Sequence, residues 1–227
     1  MIPDNTFFFL KSLKVDGIEH LCLNLSSEPP KPSPSAATTE TRQQMIELYN
    51  SVQKCAACTE LVKNRTKIVF GAGNINAKLV FVGEAPGRDE DLQGLPFVGR
   101  AGQLLTKIIE SIGLTRQEVF ICNVLKCRPP NNRAPAPDEV VNCSPFLKRQ
   151  IELIKPKIIC ALGNHACQAL LRTEKGISQL RGTFQEYEGT PVLCTYHPAY
   201  LLRNPSEKRK VWEDMKKIRN FLQETEL

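Results

Sequence analysis

The chain has 227 residues, 41% of them hydrophobic, enough to bury one sizeable core but cramped for two full domains. No apolar run approaches the roughly 20 residues of a membrane span, and no basic, apolar and small-residue leader pattern opens the sequence, so a cytoplasmic protein that avoids membranes is expected. The net charge is +6; residues 1–40 hold three Lys and five acidic residues, so the remainder carries +8, an excess that favours a polyanionic partner such as nucleic acid.

In chain order, residues 1–41 read as a flexible extension: a short apolar stretch, MIPDNTFFFLKSL, is followed by the Pro/Ser/Thr-rich EPPKPSPSAATTET (28–41), which cannot pack a core. From 42 to the end a single domain is expected. TRQQMIELYNSVQKC places Met45, Leu48, Tyr49 and Val52 at helical spacing. Four β-rich runs follow, KLVFVG (78–83), EVFICN (118–123), PKIICALG (156–163) and TPVLCTYH (190–197), with helices predicted at 100–112, 138–154 and 164–172 between them. A last helix at 206–224 puts Val211, Trp212, Met215, Ile218 and Leu222 on one stripe, with Trp212 expected in the core. Nearly continuous apolar strands alternating with helices predict an α/β fold whose parallel sheet is covered on both faces.

In open parallel sheets, ligands bind beyond the carboxyl ends of the strands. The first run ends in Gly83-Glu84-Ala85-Pro86-Gly87, the second in Asn123 and the fourth in His197-Pro198. A parallel sheet would bring a carboxylate, a carboxamide and an imidazole to one edge. The glycines around Glu84 suit a close backbone approach to a ligand. No Gly-Lys-Ser/Thr follows, so this is not a P-loop; GAGNIN (71–76) lacks the third glycine of a dinucleotide fingerprint and precedes the strand.

Nine cysteines without an export pattern argue for metal ligation by some of them rather than for disulfides. Cys55-Ala-Ala-Cys58 is a chelating pair, and Cys127 and Cys143 bracket a proline- and asparagine-rich loop beside Asn123. Four thiolates with no nearby histidine suit zinc or an iron-sulfur cluster, and spacing does not separate the two. Cys22, Cys122, Cys160, Cys167 and Cys194 are expected to serve as small hydrophobes or to lie in the tail.

GEAPGRDED, LPFVGRAGQLL (95–105), NVLKCRPPNNRAPAPDE (123–139) and HPAYLLRN (197–204), with Cys-x-x-Cys upstream and fifteen residues between the later cysteines, resemble the family 4 uracil-DNA glycosylases, iron-sulfur enzymes of bacteria and archaea. The resemblance spans about residues 45–224. It implies a three-layer α/β/α sandwich around a four-stranded parallel sheet, a 4Fe-4S cluster of structural role on Cys55, Cys58, Cys127 and Cys143, and a monomer that hydrolyses the N-glycosylic bond of deoxyuridine in single- and double-stranded DNA.

The resemblance also assigns roles. Phe97 is the floor under the flipped base, with Gly83 and Ala85 lining the uracil. Asn123 reads the uracil edge, and His197 donates to uracil O2. Glu84 positions water or steadies the sugar cation, assisted by Glu90 and Asp91, since Ala85 stands where first-family glycosylases carry an aspartate. Leu201 or Leu202 enters the duplex, with Tyr200 and Arg203 at the DNA. Arg88, Arg100, Lys126, Arg128 and Arg133 form a phosphate track.

Three alternatives fit less well. A base deaminase needs His-x-Glu and Pro-Cys-x-x-Cys, both absent here. A binding protein without turnover leaves Glu84, Asn123 and His197 unexplained. The glycosylase branch trapped covalently through a loop histidine has no counterpart between Cys127 and Cys143, so turnover is expected.

Overall fold

The computed structural model describes residues 36–225. The apolar stretch at 1–13, Cys22 and the proline-rich part of the linker lie outside the described residues. Helix α1 (Ala36–Gln53) begins earlier than expected, so 36–41 is helical rather than extended linker. The last proline of that stretch is Pro34, and nothing after it bars a helix.

Strands β1 (Ala72–Gly73), β2 (Leu79–Gly83), β3 (Phe120–Asn123), β4 (Ile158–Leu162), β5 (Phe184–Tyr187) and β6 (Thr190–Thr195) form one sheet in the order β1-β3-β2-β4-β6-β5. The expected four-stranded sheet is therefore corrected to six. The four inner strands are the four apolar runs and pair in parallel, while β1 and β5 add antiparallel edges. β5 reaches β6 through a two-residue turn, Glu188-Gly189, with φ of 48° and 78°, as a tight hairpin requires.

Every residue of β2 and β4 is buried, which explains their unbroken apolar runs. Alternate side chains feed two cores. Val80, Val82, Phe120, Cys122, Ile159 and Cys194 meet Met45 and Val52 of α1, Leu147 and Ile151 of α5 (Pro137–Ile154), and Cys167 and Leu170 of α6 (Asn164–Leu171). On the other face Leu79, Phe81, Ile121, Ile158, Cys160 and Leu193 meet Leu105 and Ile109 of α4 (Arg100–Glu110) and Val211, Met215 and Ile218 of α9 (Lys208–Glu224). This is the α/β/α sandwich, with each fully buried aliphatic side chain contributing about 1.5–3 kcal/mol.

Trp212 departs from expectation: at 37% exposed it lies outside the core, one residue round the helix from the buried Val211, with Lys216 Nζ 6.0 Å from its ring centre. Cys122, Cys160, Cys167 and Cys194 are buried as expected. Among the described residues no helix is long and apolar enough to cross a membrane. The chain leaves β2 for β3 on one side and continues to β4 on the other, so a crevice opens at the carboxyl end of β2.

Candidate active site

That crevice is a cleft of about 440 Å3 whose walls include Glu84, Ala85, Glu90, Phe97, Asn123, His197, Tyr200 and Arg203. The parallel register fixes the first pair: Gly83 lies beside Asn123, and Val124 N and Leu125 N continue the ladder onto Gly83 O and Glu84 O at 2.9 and 3.0 Å. Gly83 is obligatory, because a Cβ there would collide with Asn123 Oδ1 and come within 2.6 Å of the Phe97 ring. Asn123 is 2% exposed, yet its Oδ1 has no hydrogen-bond partner among the described residues. An orphaned buried acceptor costs about 1–3 kcal/mol, so its persistence at a cleft marks a place where a ligand donor belongs.

His197 precedes helix α8 (Pro198–Arg203), and its Nδ1 accepts from Ala199 N at 3.1 Å. Burial, reinforced by the Arg203 cation, pushes its pKa down to about 4, so the ring is neutral at pH 7. With Nδ1 accepting, the single ring proton resides on Nε2, which is thereby a donor. The Phe97 ring lies 5.5 Å from the imidazole, tilted by 33°. Burial raises the Glu84 carboxyl above its ordinary range, partly opposed by His165.

The acidic run after Glu84 divides by partner. Glu90, on α3 (Arg88–Gln93), borders the cleft, but its Oε1 accepts from Val98 N at 2.9 Å and Gly99 N at 3.1 Å. Through these two bonds Glu90, expected to assist catalysis, straps the loop that presents Phe97. Phe97 needs that strap: its φ of 53° is unusual for a bulky side chain, and its main chain packs against Gly102 so closely that a Cβ there would overlap it. Arg116 Nη2 also holds the loop, through Pro96 O at 2.9 Å. Asp91 is buried and accepts from Thr66 N and Lys67 N at 2.9 and 3.3 Å, which ties the segment before β1.

Three residues expected at the DNA are buried or bonded within the protein. Leu201 is 1% exposed and belongs to the core, whereas Leu202 is 37% exposed, so Leu202 alone of the pair is free to enter a duplex. Lys126 is 1% exposed and bonded internally. Arg133 grips both oxygens of Glu139 at 2.7 and 2.9 Å and Glu60 at 2.7 Å. It therefore binds the 128–136 loop to α2 (Thr59–Asn64). Arg88 and Arg100 are exposed, Tyr200 is 36% exposed, and Arg128 donates to Asn132 Oδ1 at 2.7 Å.

Cys55, Cys58, Cys127 and Cys143, distant in sequence, line one cavity with Val52, Leu61 and Phe146. Donors that the sequence did not reveal reach three of the sulfurs: Arg65 Nη1 to Cys127 at 3.2 Å, Lys126 N to Cys143 at 3.3 Å and Asn142 Nδ2 to Cys58 at 3.7 Å. Burial pushes the Cys143 thiol up to about 11 and raises Cys58 and Cys127. Among the described residues no group of three or more His, Cys, Asp or Glu side chains is placed to hold a single metal ion.

Comparison with known proteins agrees with this geometry. Residues 70–216 match the family model described as the uracil DNA glycosylase superfamily. The chain is 47% identical to the type-4 uracil-DNA glycosylase of Thermotoga maritima over 80% of its own length and 97% of that protein's. It is 45% identical to the type-4 enzyme of Archaeoglobus fulgidus, over 78% and 92% of the two chains, and 46% identical to that of Saccharolobus solfataricus, over 77% and 85%. By these matches the chain belongs to the uracil-DNA glycosylase superfamily and is a member of its type-4 enzymes.

Proposed function

We propose that the cleft excises uracil from DNA by stacking the extruded base on Phe97, reading its edge with Asn123 and drawing off the charge of the leaving base with His197. The orphaned Oδ1 of Asn123 carries this reading. It accepts from uracil N3–H while Nδ2 donates to O4; cytosine reverses that donor and acceptor pattern and leaves the carboxamide unpaired. Stacking on Phe97 contributes about 1–3 kcal/mol and tolerates any base, so discrimination falls to Asn123.

Cleavage leaves negative charge on uracil, chiefly at N1 and O2, and positive charge on the sugar. The neutral His197, with Nδ1 occupied, offers Nε2–H to O2, a donor of roughly 3–4 kcal/mol in the transition state. Glu84 stands at the same rim, where its carboxylate steadies the sugar cation and positions the attacking water. Extrusion costs a few kcal/mol and least where pairing is weak, so unpaired uracil and uracil opposite guanine are both substrates. Exposed Leu202 fills the vacated position and Arg203, with Arg88, Arg100 and Arg128, contacts phosphate.

The donor set supports a 4Fe-4S cluster on Cys55, Cys58, Cys127 and Cys143: four sulfurs around one cavity, three of them receiving N–H groups, suit a centre several ångströms across better than one ion. Bound there, the cluster would supply a cross-link between α1, the strand end after Asn123 and α5.

The test is alkali-labile cleavage of a uracil-containing oligonucleotide. The chain cuts paired and unpaired uracil and spares cytosine, and Asn123→Ala loses most of the activity. Full activity in Asn123→Ala would overturn the assignment of the cleft.

A further inference from the structure

Among the described residues, Lys126 is the only buried cation. Its Nζ donates to Asn123 O at 2.7 Å and to Gln150 Oε1 at 2.6 Å. Gln150, fully buried on α5, passes the link on by donating Nε2 to Phe70 O at 2.9 Å. The Lys126 main chain is held as well: its N–H reaches Cys143 Sγ, and its carbonyl accepts from Val69 N at 2.8 Å. Burying an ammonium costs several kcal/mol unless hydrogen bonds compensate it, so a lysine at this place demands a reason that a leucine of similar bulk would not supply.

The reason lies three residues upstream. Among the described residues the Oδ1 of Asn123 has no partner, so the direction of its carboxamide is set by its main chain and by the walls around it. The ammonium grips that main chain at the carbonyl, on the last residue of β3.

We infer that Lys126 is a positioning residue that fixes the Asn123 carboxamide relative to α5, the helix carrying Cys143. It never touches substrate; it acts through Asn123, and the inference rests on reading Asn123 as the residue that recognises uracil. A misplacement of about 1 Å at a reacting site costs on the order of 100-fold in rate, so loosening this grip lowers turnover far more than it lowers attachment to DNA, which depends on phosphate contacts elsewhere.

The test is binding of free uracil to the full chain, purified anaerobically, by calorimetry, alongside thermal unfolding and excision kinetics. Lys126→Met, of similar length and without charge, should unfold cooperatively and bind uracil about 10-fold more weakly. Its kcat should fall about 100-fold while KM for the oligonucleotide stays within about 3-fold. A residue that serves only the fold would lower the unfolding temperature and leave uracil affinity and kcat per folded molecule unchanged; that result overturns the inference. Should Lys126→Met not fold, Gln150→Leu, which removes one acceptor from the ammonium, decides by the same readings: a several-fold loss of uracil affinity supports the link and an unchanged affinity overturns it. Asn123→Ala binding uracil as tightly as the parent chain would bring down the reading of Asn123 itself, and this inference with it. The two failures are told apart by which variant keeps its affinity.

Discussion

The cleft and the cysteine cavity approach within four residues of each other, at Asn123 and Cys127, and are finished in opposite ways. Around the cysteines, donors find acceptors: Arg65, Lys126 and Asn142 reach sulfur. In the cleft, among the described residues, a buried carboxamide oxygen is left without a partner and a histidine keeps one nitrogen uncommitted, while a carboxyl is held above its usual range by burial. Support is where polar groups are satisfied. Chemistry is where the fold leaves them waiting, at a cost the surrounding sheet can bear.

Substitutions on the two sides should therefore fail differently. His197→Ala removes the waiting donor and should lower kcat by about 10²–10³ with little change in unfolding temperature, a split that single-turnover excision and calorimetry resolve together. Glu90 is a sharper case, because it borders the cleft yet behaves as support. Glu90→Gln keeps an oxygen for Val98 N and Gly99 N and should retain most activity, whereas Glu90→Ala frees the Phe97 loop and should cost on the order of 100-fold. Equal, severe losses in both would return Glu90 to a catalytic role.

The pH dependence separates the two waiting ionisable groups. The folded pKa of His197, about 4, lies below its unfolded value near 6.5, so the unfolded chain binds the extra proton first and this group's share of stability falls as pH drops from about 6.5 to 4. Glu84 is shifted upward from 4.5 by burial and has the opposite sign: its ionised form is disfavoured in the fold. The acid limb of kcat/KM should follow Glu84, above 4.5, with His197 still neutral there. A limb at 6.5 that disappears in His197→Gln would contradict this. The smallest effect belongs to the exposed Leu202: Leu202→Ala should slow excision from duplex DNA several-fold and leave single-stranded substrate untouched.

Much of this was legible in the sequence, for identifiable reasons. Inner strands buried on both faces have no polar side to show, so their apolar runs stand out, and a parallel sheet necessarily gathers Glu84, Asn123 and His197 at one rim. The edges were not legible: β1 has two residues, and β5 alternates between exposed and half-buried positions. Glu84, Glu90 and Asp91 look alike in a string of acids, because what distinguishes them is backbone N–H groups at 66–67 and 98–99 that only the fold supplies. Lys126 resembled a surface charge for the same reason: its acceptors are a main-chain carbonyl and a glutamine 24 residues away. Leu201 and Leu202 are adjacent, and helical phase alone decides which one turns inward.

The central claim is that Asn123 Oδ1 waits for the N3–H of uracil. The direct measurement is single-turnover release of uracil and of 3-methyluracil from otherwise identical oligonucleotides by the unaltered chain. Replacing the N3–H by a methyl should slow release by about 10⁴-fold, as sites built around a substrate hydrogen bond reject analogues that lack it. Equal rates for the two bases would contradict the account.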